Sequence, residues 1–238
     1  MTTTATAPHV AEDLATAALT VARRFANGAT MWCVSPRWPE HGRHLAVEFV
    51  HPVIIGKRAL PAIHVEATDL LPALRLVVRP GDLVVAVGPA DDGPVRNVLQ
   101  RAEPWGVTTA WLGAGPRPPA GSADHILWVD DVAADLATRS GDVVLLYHLL
   151  WELTHVVFEH PGLLQESPTC DADADAYCVT CSDEGNVAEV MHVLTDSSAE
   201  VRLAGTPTMV DVTLVDPVRP GDLVLVHAGI AITLVAEA

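Results

Sequence analysis

The sequence has 238 residues, 50% of them hydrophobic, so it is long enough for two domains and apolar enough to bury a core in each. Its 14 Lys and Arg against 30 Asp and Glu give a net charge of −16, which argues against binding nucleic acid or an anionic membrane surface. The first residues lack the basic and apolar regions of a signal peptide, so we expect a cytoplasmic protein.

Helical and extended apolar patterns alternate along the first 160 residues. The periodicity predicts helices and strands in alternation, with helices over 10–27, 41–50, 93–103 and 142–159, a short helix from Leu70, and strands over 29–34, 61–65, 83–87, 107–112 and 125–129. The strands are apolar at every position, which is typical of a parallel sheet covered on both faces. We therefore predict a three-layer α/β domain over residues 1–162.

The most apolar stretch, residues 143–158, is interrupted by His148, Glu152 and His155. It is too short and too polar to span a bilayer, so we interpret it as a buried helix and expect no membrane association.

The pattern changes after Pro161. Residues 163–176 contain Pro168 and three aspartates and are predicted to form an acidic linker. A period of two follows, with predicted strands over 187–194, 199–203, 208–214, 222–226 and 230–235. Five short strands predict a small OB-like β-barrel over residues 177–238.

An Arg-Pro-Gly-Asp sequence occurs twice, at 79–82 and at 219–222, each time before an apolar strand. The flanking residues do not match, so we interpret the similarity as shared turn chemistry and not as an internal repeat.

The cysteines are Cys33, Cys170, Cys178 and Cys181, and the last three crowd together. This spacing does not suit a disulfide framework and indicates thiol or metal chemistry. The Cys178-Val179-Thr180-Cys181 pair alone offers too few ligands for structural zinc, and a redox pair or two small buried side chains are the alternatives.

Residues 221–232, Gly-Asp-Leu-Val-Leu-Val-His-Ala-Gly-Ile-Ala-Ile, resemble the signature G-D-y-V-l-V-H-x-G-f-A-I of the HypC/HupF hydrogenase-assembly chaperones. In that family a cysteine at the start of the domain and the signature histidine help to carry the iron of an Fe(CN)2CO unit. The partner HypD passes this unit to the large-subunit precursor of a nickel–iron hydrogenase.

The resemblance implies that Cys178 is the opening cysteine and His227 the histidine, with Cys181 able to share the role of Cys178. It implies a chaperone that is not an enzyme, with HypD and the large-subunit precursor as partners and iron as transient cargo. This chain departs from the family because its cysteine is internal and is not followed by Pro-Gly.

Residues 10–160 resemble the sugar isomerase (SIS) domain, nearest the phosphoheptose isomerase branch. Residues 43–49, Arg-His-Leu-Ala-Val-Glu-Phe, resemble the x-H-F-A-x-E-L segment of that branch, and residues 146–153 its x-x-H-I-L-x-x-L segment. The resemblance implies that His44, Glu48 and His148 form a catalytic or zinc-binding cluster and that the domain forms a homodimer. A hydrogen-bonded network without chemistry is the alternative, and Ser140 stands where the branch has a glutamine.

The phosphate-binding loops of that branch are altered. Residues 35–39 contain two prolines, which cannot donate a backbone hydrogen bond, and Asp91 and Asp92 would repel a phosphate after the third strand. We therefore expect phosphosugar isomerisation to be lost. The alternatives are a metal-assisted isomerase using Glu48 and His148, and a metabolite sensor.

Overall fold

A computed structural model describes residues 7–130, 136–165, 185–195, 197–215 and 217–235. The chain forms two compact units, one of Met1–Gln100 with Thr108–Gln165 and one of Arg101–Val107 with Glu166–Ala238. The domain boundaries expected at 162 and 176 stay predictions.

The first unit alternates helices and strands, as the periodicity predicts. Its elements are α1 Ala7–Ala26, β1 Met31–Val34, α2 Pro39–Val50, β2 Ala62–His64, α3 Leu70–Val77, β3 Leu83–Val87, α4 Gly93–Ala102, β4 Thr108–Ala114, β5 His125–Val129, α5 Leu136–Glu159 and a 3-10 turn at Pro161–Leu163. Pro39 occupies the first turn of α2, where its missing N–H would have no helical partner. Helix α5 begins six residues before the predicted start at Asp142.

The five strands of this unit form a fully parallel sheet in the order β2-β1-β3-β4-β5. One face carries Leu83, Val85 and Leu112, which belong to a core cluster with residues of α1, α2 and α5. The opposite face carries Val84 and Trp111, which are also fully buried. Both faces of the central strands are covered, which suits the continuous apolar sequences of β1 and β3, and the predicted α/β fold is confirmed.

The expectation that this stretch is too short and too polar to span a bilayer is wrong, because Ser140–Glu159 of α5 is long and apolar enough to cross a membrane by length and composition. In this fold it packs against α1, α2, β4 and β5. Leu150 and Tyr147 are completely buried in these contacts, so α5 is a core helix of the first unit.

The second unit contains a closed five-stranded barrel with the order β10-β8-β7-β6-β9. Its strands are β6 Asn186–Thr195, β7 Ser198–Leu203, β8 Thr206–Asp211, β9 Leu223–His227 and β10 Ile230–Leu234. The pairing is mixed, because β8 and β10 are parallel and the other neighbours are antiparallel. The buried cluster consists almost entirely of Val and Ala, whose small side chains suit a narrow barrel. The predicted barrel is confirmed.

The third strand of the barrel ends earlier than its apolar pattern predicts. We expected a strand over 208–214, but β8 ends at Asp211. The Asp211 carboxylate accepts a hydrogen bond from the Thr213 N–H at 2.8 Å, and the Val215 N–H reaches the Val212 carbonyl at 3.0 Å. This side-chain turn ends the strand even though Val212 continues the alternation.

The two Arg-Pro-Gly-Asp sequences form the same turn in both units. The Asp82 carboxylate accepts from the Arg79 N–H at 2.9 Å, and the Asp222 carboxylate accepts from the Arg219 N–H at 2.7 Å. Gly81 and Gly221 have φ of 94° and 96°, so a residue with a side chain would be strained there. The structures that flank the two turns are unrelated. This supports shared turn chemistry and not an internal repeat.

A charged pair lies inside the second unit. The Glu189 carboxylate on β6 is 2% exposed and accepts from the Arg101 guanidinium at 3.1 Å and from the Trp105 indole N–H at 3.0 Å. Arg101 also donates to the Gly221 carbonyl at 2.5 Å. Residues 101–107 therefore supply polar partners that the buried carboxylate requires.

Replacing Glu189 with Ala is expected to lower the free energy of unfolding by about 3–5 kcal/mol, because the buried Arg101 guanidinium loses its carboxylate. Urea denaturation of the full chain measures this loss. Glu200→Ala, on β7 of the same barrel, is the matched control and should change stability by less than about 1 kcal/mol. Equal losses in the two variants would contradict the importance of the buried pair.

Candidate functional site

His227 lies at the end of β9, where a tight hairpin turn begins. Residues Ala228 and Gly229 both have positive φ, 49° and 81°, as a two-residue hairpin of the twist-matched type requires. His227 is half-buried and pairs across the hairpin with Ile230. Asn186, where the chain enters the barrel, pairs with Val226, so the barrel entry adjoins the strand end that carries His227.

The predicted sulfur ligands precede the barrel strands in the sequence. Cys178 and Cys181, like Cys170, fall outside the described residues, so their role stays a prediction. Cys33 lies at the centre of β1, and complete burial raises the pKa of its thiol far above the ordinary value. Cys33 is therefore an inert core residue.

In the first unit, three predicted residues come together between α2 and α5. His44 Nε2 lies 3.1 Å from Glu48 Oε1 and 3.3 Å from His148 Nε2, and the distance from His148 Nε2 to Glu48 Oε1 is 3.6 Å. One turn of α2 separates His44 from Glu48, and α5 supplies His148. The ligand atoms lie within 4.8 Å of one another, and the side chains are partly exposed.

The donor atoms of this cluster suit a divalent transition metal. Two imidazole nitrogens and one carboxylate oxygen are the ligand types of a three-residue zinc site that keeps a position open. The residues present therefore fit zinc, with His44, Glu48 and His148 as the side chains that would hold it.

Tyr147 completes the cluster, although no pattern in the sequence singles it out. Its hydroxyl lies 2.8 Å from His44 Nδ1, and its ring packs edge-on against the His44 ring at 5.2 Å. Burial, followed by the negative charges of Glu48 and Glu40, raises the pKa of Tyr147, so its hydroxyl keeps its proton. An aromatic residue in an apolar helix resembles a core residue, which explains why the sequence did not reveal it.

Neighbouring polar residues do not join the cluster. Ser140 Oγ lies 3.0 Å from His41 Nε2, so it pairs with a different histidine of α2. Glu152 is exposed, and His155 is buried with its two ring nitrogens 2.9 Å from the Trp151 and Arg58 carbonyl oxygens. Glu152 and His155 therefore lie apart from the predicted cluster.

A second polar group lies at the carboxyl ends of β1 and β2. Ser35 Oγ is 3.2 Å from His64 Nε2, and His64 Nδ1 is 3.5 Å from Glu66 Oε1. A Cβ added at Gly42 of α2 would lie 2.1 Å from Ser35 Oγ. Because Gly42 covers the hydroxyl and Ser35 is only 2% exposed, this pair fixes α2 against the sheet. The sequence alone did not reveal the contact between Ser35 and His64.

The expected phosphate position is occupied by carboxylates of the chain. Asp91 is bound to Arg37 at 2.6 Å, and Asp92 Oδ1 accepts from the Val95 N–H in the first turn of α4 at 3.3 Å. Burial raises the pKa of Asp92. A nearby cleft of about 320 Å³ is lined by Pro36, Asp69, Gly93 and Asn97 among others, without Lys or Arg. These groups are poorly suited to hold a phosphate.

Both parts of the chain resemble known proteins. Residues 185–238 match the model of the HupF/HypC family, which confirms the resemblance of the barrel and indicates a role in hydrogenase maturation. The matched range includes His227 and begins after Cys178 and Cys181. No curated protein sequence matches the chain.

Solved structures resemble the first unit. A Bacteroides fragilis protein described as a phosphosugar isomerase involved in capsule formation superposes with a TM-score of 0.52 at 12% identity, over 62% of this chain and 80% of its own. The phosphoheptose isomerase of Neisseria gonorrhoeae gives a TM-score of 0.49 at 16% identity, over 60% and 85%. At such low identity the likeness concerns the fold alone, and the superposition on the Bacteroides fragilis protein confirms the SIS-like fold.

Acid is expected to destabilise the first unit. Burial is the main cause that lowers the pKa of His41, His64 and His125 below the ordinary 6.5. The unfolded chain therefore binds more protons than the folded one just below that pH, and stability falls as the pH drops through about 6.5 toward the folded pKa values.

The free energy of unfolding is measured by urea denaturation at several pH values from about 7.5 to 5. Tryptophan fluorescence monitors unfolding, and a chelator is present throughout. His64→Gln should flatten the decline, while His51→Gln, at an exposed histidine beside α2, should leave it unchanged. A decline that is identical in the parent chain and His64→Gln would contradict this assignment.

Proposed function

We propose that this chain is a nickel–iron hydrogenase maturation chaperone that binds HypD and the large-subunit precursor and helps to deliver the Fe(CN)2CO unit. The observation that carries the proposal is the match of residues 185–238 to the HupF/HypC family, with His227 inside it. We place this function in the cytoplasm and assign no enzymatic activity to the chain.

The position of His227 supports a role in handling iron. It stands at a strand end beside a tight turn, and the chain enters the barrel next to that strand at Asn186. Cys181 precedes Asn186 by five residues in the sequence, and a chain spans at most about 3.6 Å per residue. Its Cα is thus tethered within roughly 18 Å of the barrel entry, a reach that permits sulfur and imidazole to share one ion.

The first unit supports a separate proposal, namely that it binds a divalent metal such as zinc. The observation that favours it is the convergence of His44, Glu48 and His148. Asp91 and Asp92 argue against the isomerase alternative, because they lie in the loop where the resemblance predicts a phosphate and their negative charges would repel it.

We also propose that the first unit forms a homodimer. The loop after α2 exposes Val53, Ile54 and Ile55, with Ile55 fully accessible to solvent. A run of exposed apolar side chains of this kind is typical of a protein contact.

Co-purification tests the chaperone proposal. The tagged full chain is expected to retain HypD from hydrogenase-expressing cells, and the complex should contain iron measurable by elemental mass spectrometry. A Cys178→Ala/Cys181→Ala double variant and His227→Ala should each lose most of that iron, because sulfur and imidazole are proposed to hold it.

Cys170→Ala is the matched control, since it removes a nearby thiol outside the proposed pair. It should leave both HypD and iron in place. HypD and iron retained unchanged in the double cysteine variant would overturn the role of the thiols, and absence of HypD from the parent complex would overturn the partner.

Zinc titration of the full chain tests the proposed metal site. His148→Ala should weaken zinc binding by more than about 100-fold, because it removes a ligand and not only a supporting group. His51→Ala, at an exposed histidine at the end of α2, should bind zinc like the parent chain. Equal affinity in both variants would place the zinc elsewhere.

A further inference from the structure

The hydroxyl of Tyr147 contacts the nitrogen of His44 that faces away from the cluster. Tyr147 is completely buried on α5, and its oxygen lies 2.8 Å from His44 Nδ1. The other nitrogen of the same ring, Nε2, faces Glu48 Oε1 at 3.1 Å and His148 Nε2 at 3.3 Å. One imidazole therefore links Tyr147 to the proposed metal ligands.

These distances favour one set of proton positions in a neutral His44 ring without metal. A carboxylate only accepts hydrogen bonds, so the contact with Glu48 requires a proton on His44 Nε2. The Nδ1 atom then carries a lone pair and accepts a hydrogen bond from the Tyr147 hydroxyl. A ring with its proton on Nδ1 would instead set two acceptors, Nε2 and the Glu48 oxygen, 3.1 Å apart.

Binding a metal ion requires the opposite arrangement. The ion takes the Nε2 lone pair, so the ring proton must reside on Nδ1 and be donated to a neighbouring acceptor. The Tyr147 oxygen is that neighbour. A phenol serves both arrangements because rotation of its O–H bond turns it from a donor into an acceptor, whereas a carbonyl or carboxylate only accepts.

We propose that Tyr147 is a positioning residue that lets His44 change tautomer when a divalent ion binds to His44, Glu48 and His148. One proton leaves Nε2 for water and another reaches Nδ1 from water, so the net protonation of the ring is unchanged and the phenol keeps its own proton. The inference rests on the proposed metal site. It explains how both ring nitrogens of His44 have a partner with and without the ion.

Tyr147→Phe is the direct test, because the ring keeps its packing against His41, His44 and His148 while the hydroxyl is removed. Zinc affinity, measured by competition with a chelating dye, should fall by about 10–100-fold. Ser140→Ala is the matched control, since it removes a hydroxyl of the same helix that pairs with His41 and not with a ligand. Its zinc affinity should equal that of the parent chain.

Nitrogen-15 NMR of the histidine rings gives a readout that lost packing alone would not mimic. In the parent chain the His44 proton should be on Nε2 without zinc and on Nδ1 with zinc. This measurement needs no variant, so it holds even if Tyr147→Phe does not fold.

The same His44 tautomer in both states, or a Tyr147→Phe chain with parental zinc affinity, would overturn the role of Tyr147. Failure of the parent chain to bind zinc is a different result, which would overturn the proposed metal site itself.

Discussion

The first unit depends on one constraint: helices α2 and α5 must lie side by side to cover one face of the parallel sheet. The strands are apolar on both faces, so helices must cover them, and α2 contributes Leu45 and Phe49 to this cover. Polar residues along the contact of the two helices lose part of their water and find hydrogen-bond partners in each other. The histidines, the carboxylate and the phenol between α2 and α5 meet for this reason.

The barrel meets a similar demand in a different way. Its interior holds mainly Val and Ala, which leave little room for polar atoms. Ala188 and Val190 point into this interior, so the alternation of β6 turns Glu189 outward, where Arg101 and Trp105 from outside the barrel strands serve its buried carboxylate. The match to the HupF/HypC family begins at residue 185. The buried contact of Glu189 thus uses residues 101–107, which precede the matched segment.

Local patterns in the sequence predicted much of the fold and part of the site. Apolar strands indicated the parallel sheet, and a period of two indicated the barrel. The four-residue spacing of His44 and Glu48 placed them on one helix face, but their distance to His148 depends on how α2 packs on α5, which periodicity does not supply. Tyr147 was overlooked because its position in an apolar stretch is typical of core packing. The end of β8 at Asp211 depends on one side-chain turn that the alternation of Val212 conceals.

The repeated Arg-Pro-Gly-Asp turn shows how little a short segment can depend on its surroundings. Four residues adopt matching geometry before a parallel strand in one unit and an antiparallel strand in the other. The carboxylate, the proline and the glycine that favour this turn all lie within the tetrapeptide itself. The same tetrapeptide can therefore precede a strand in two different sheets.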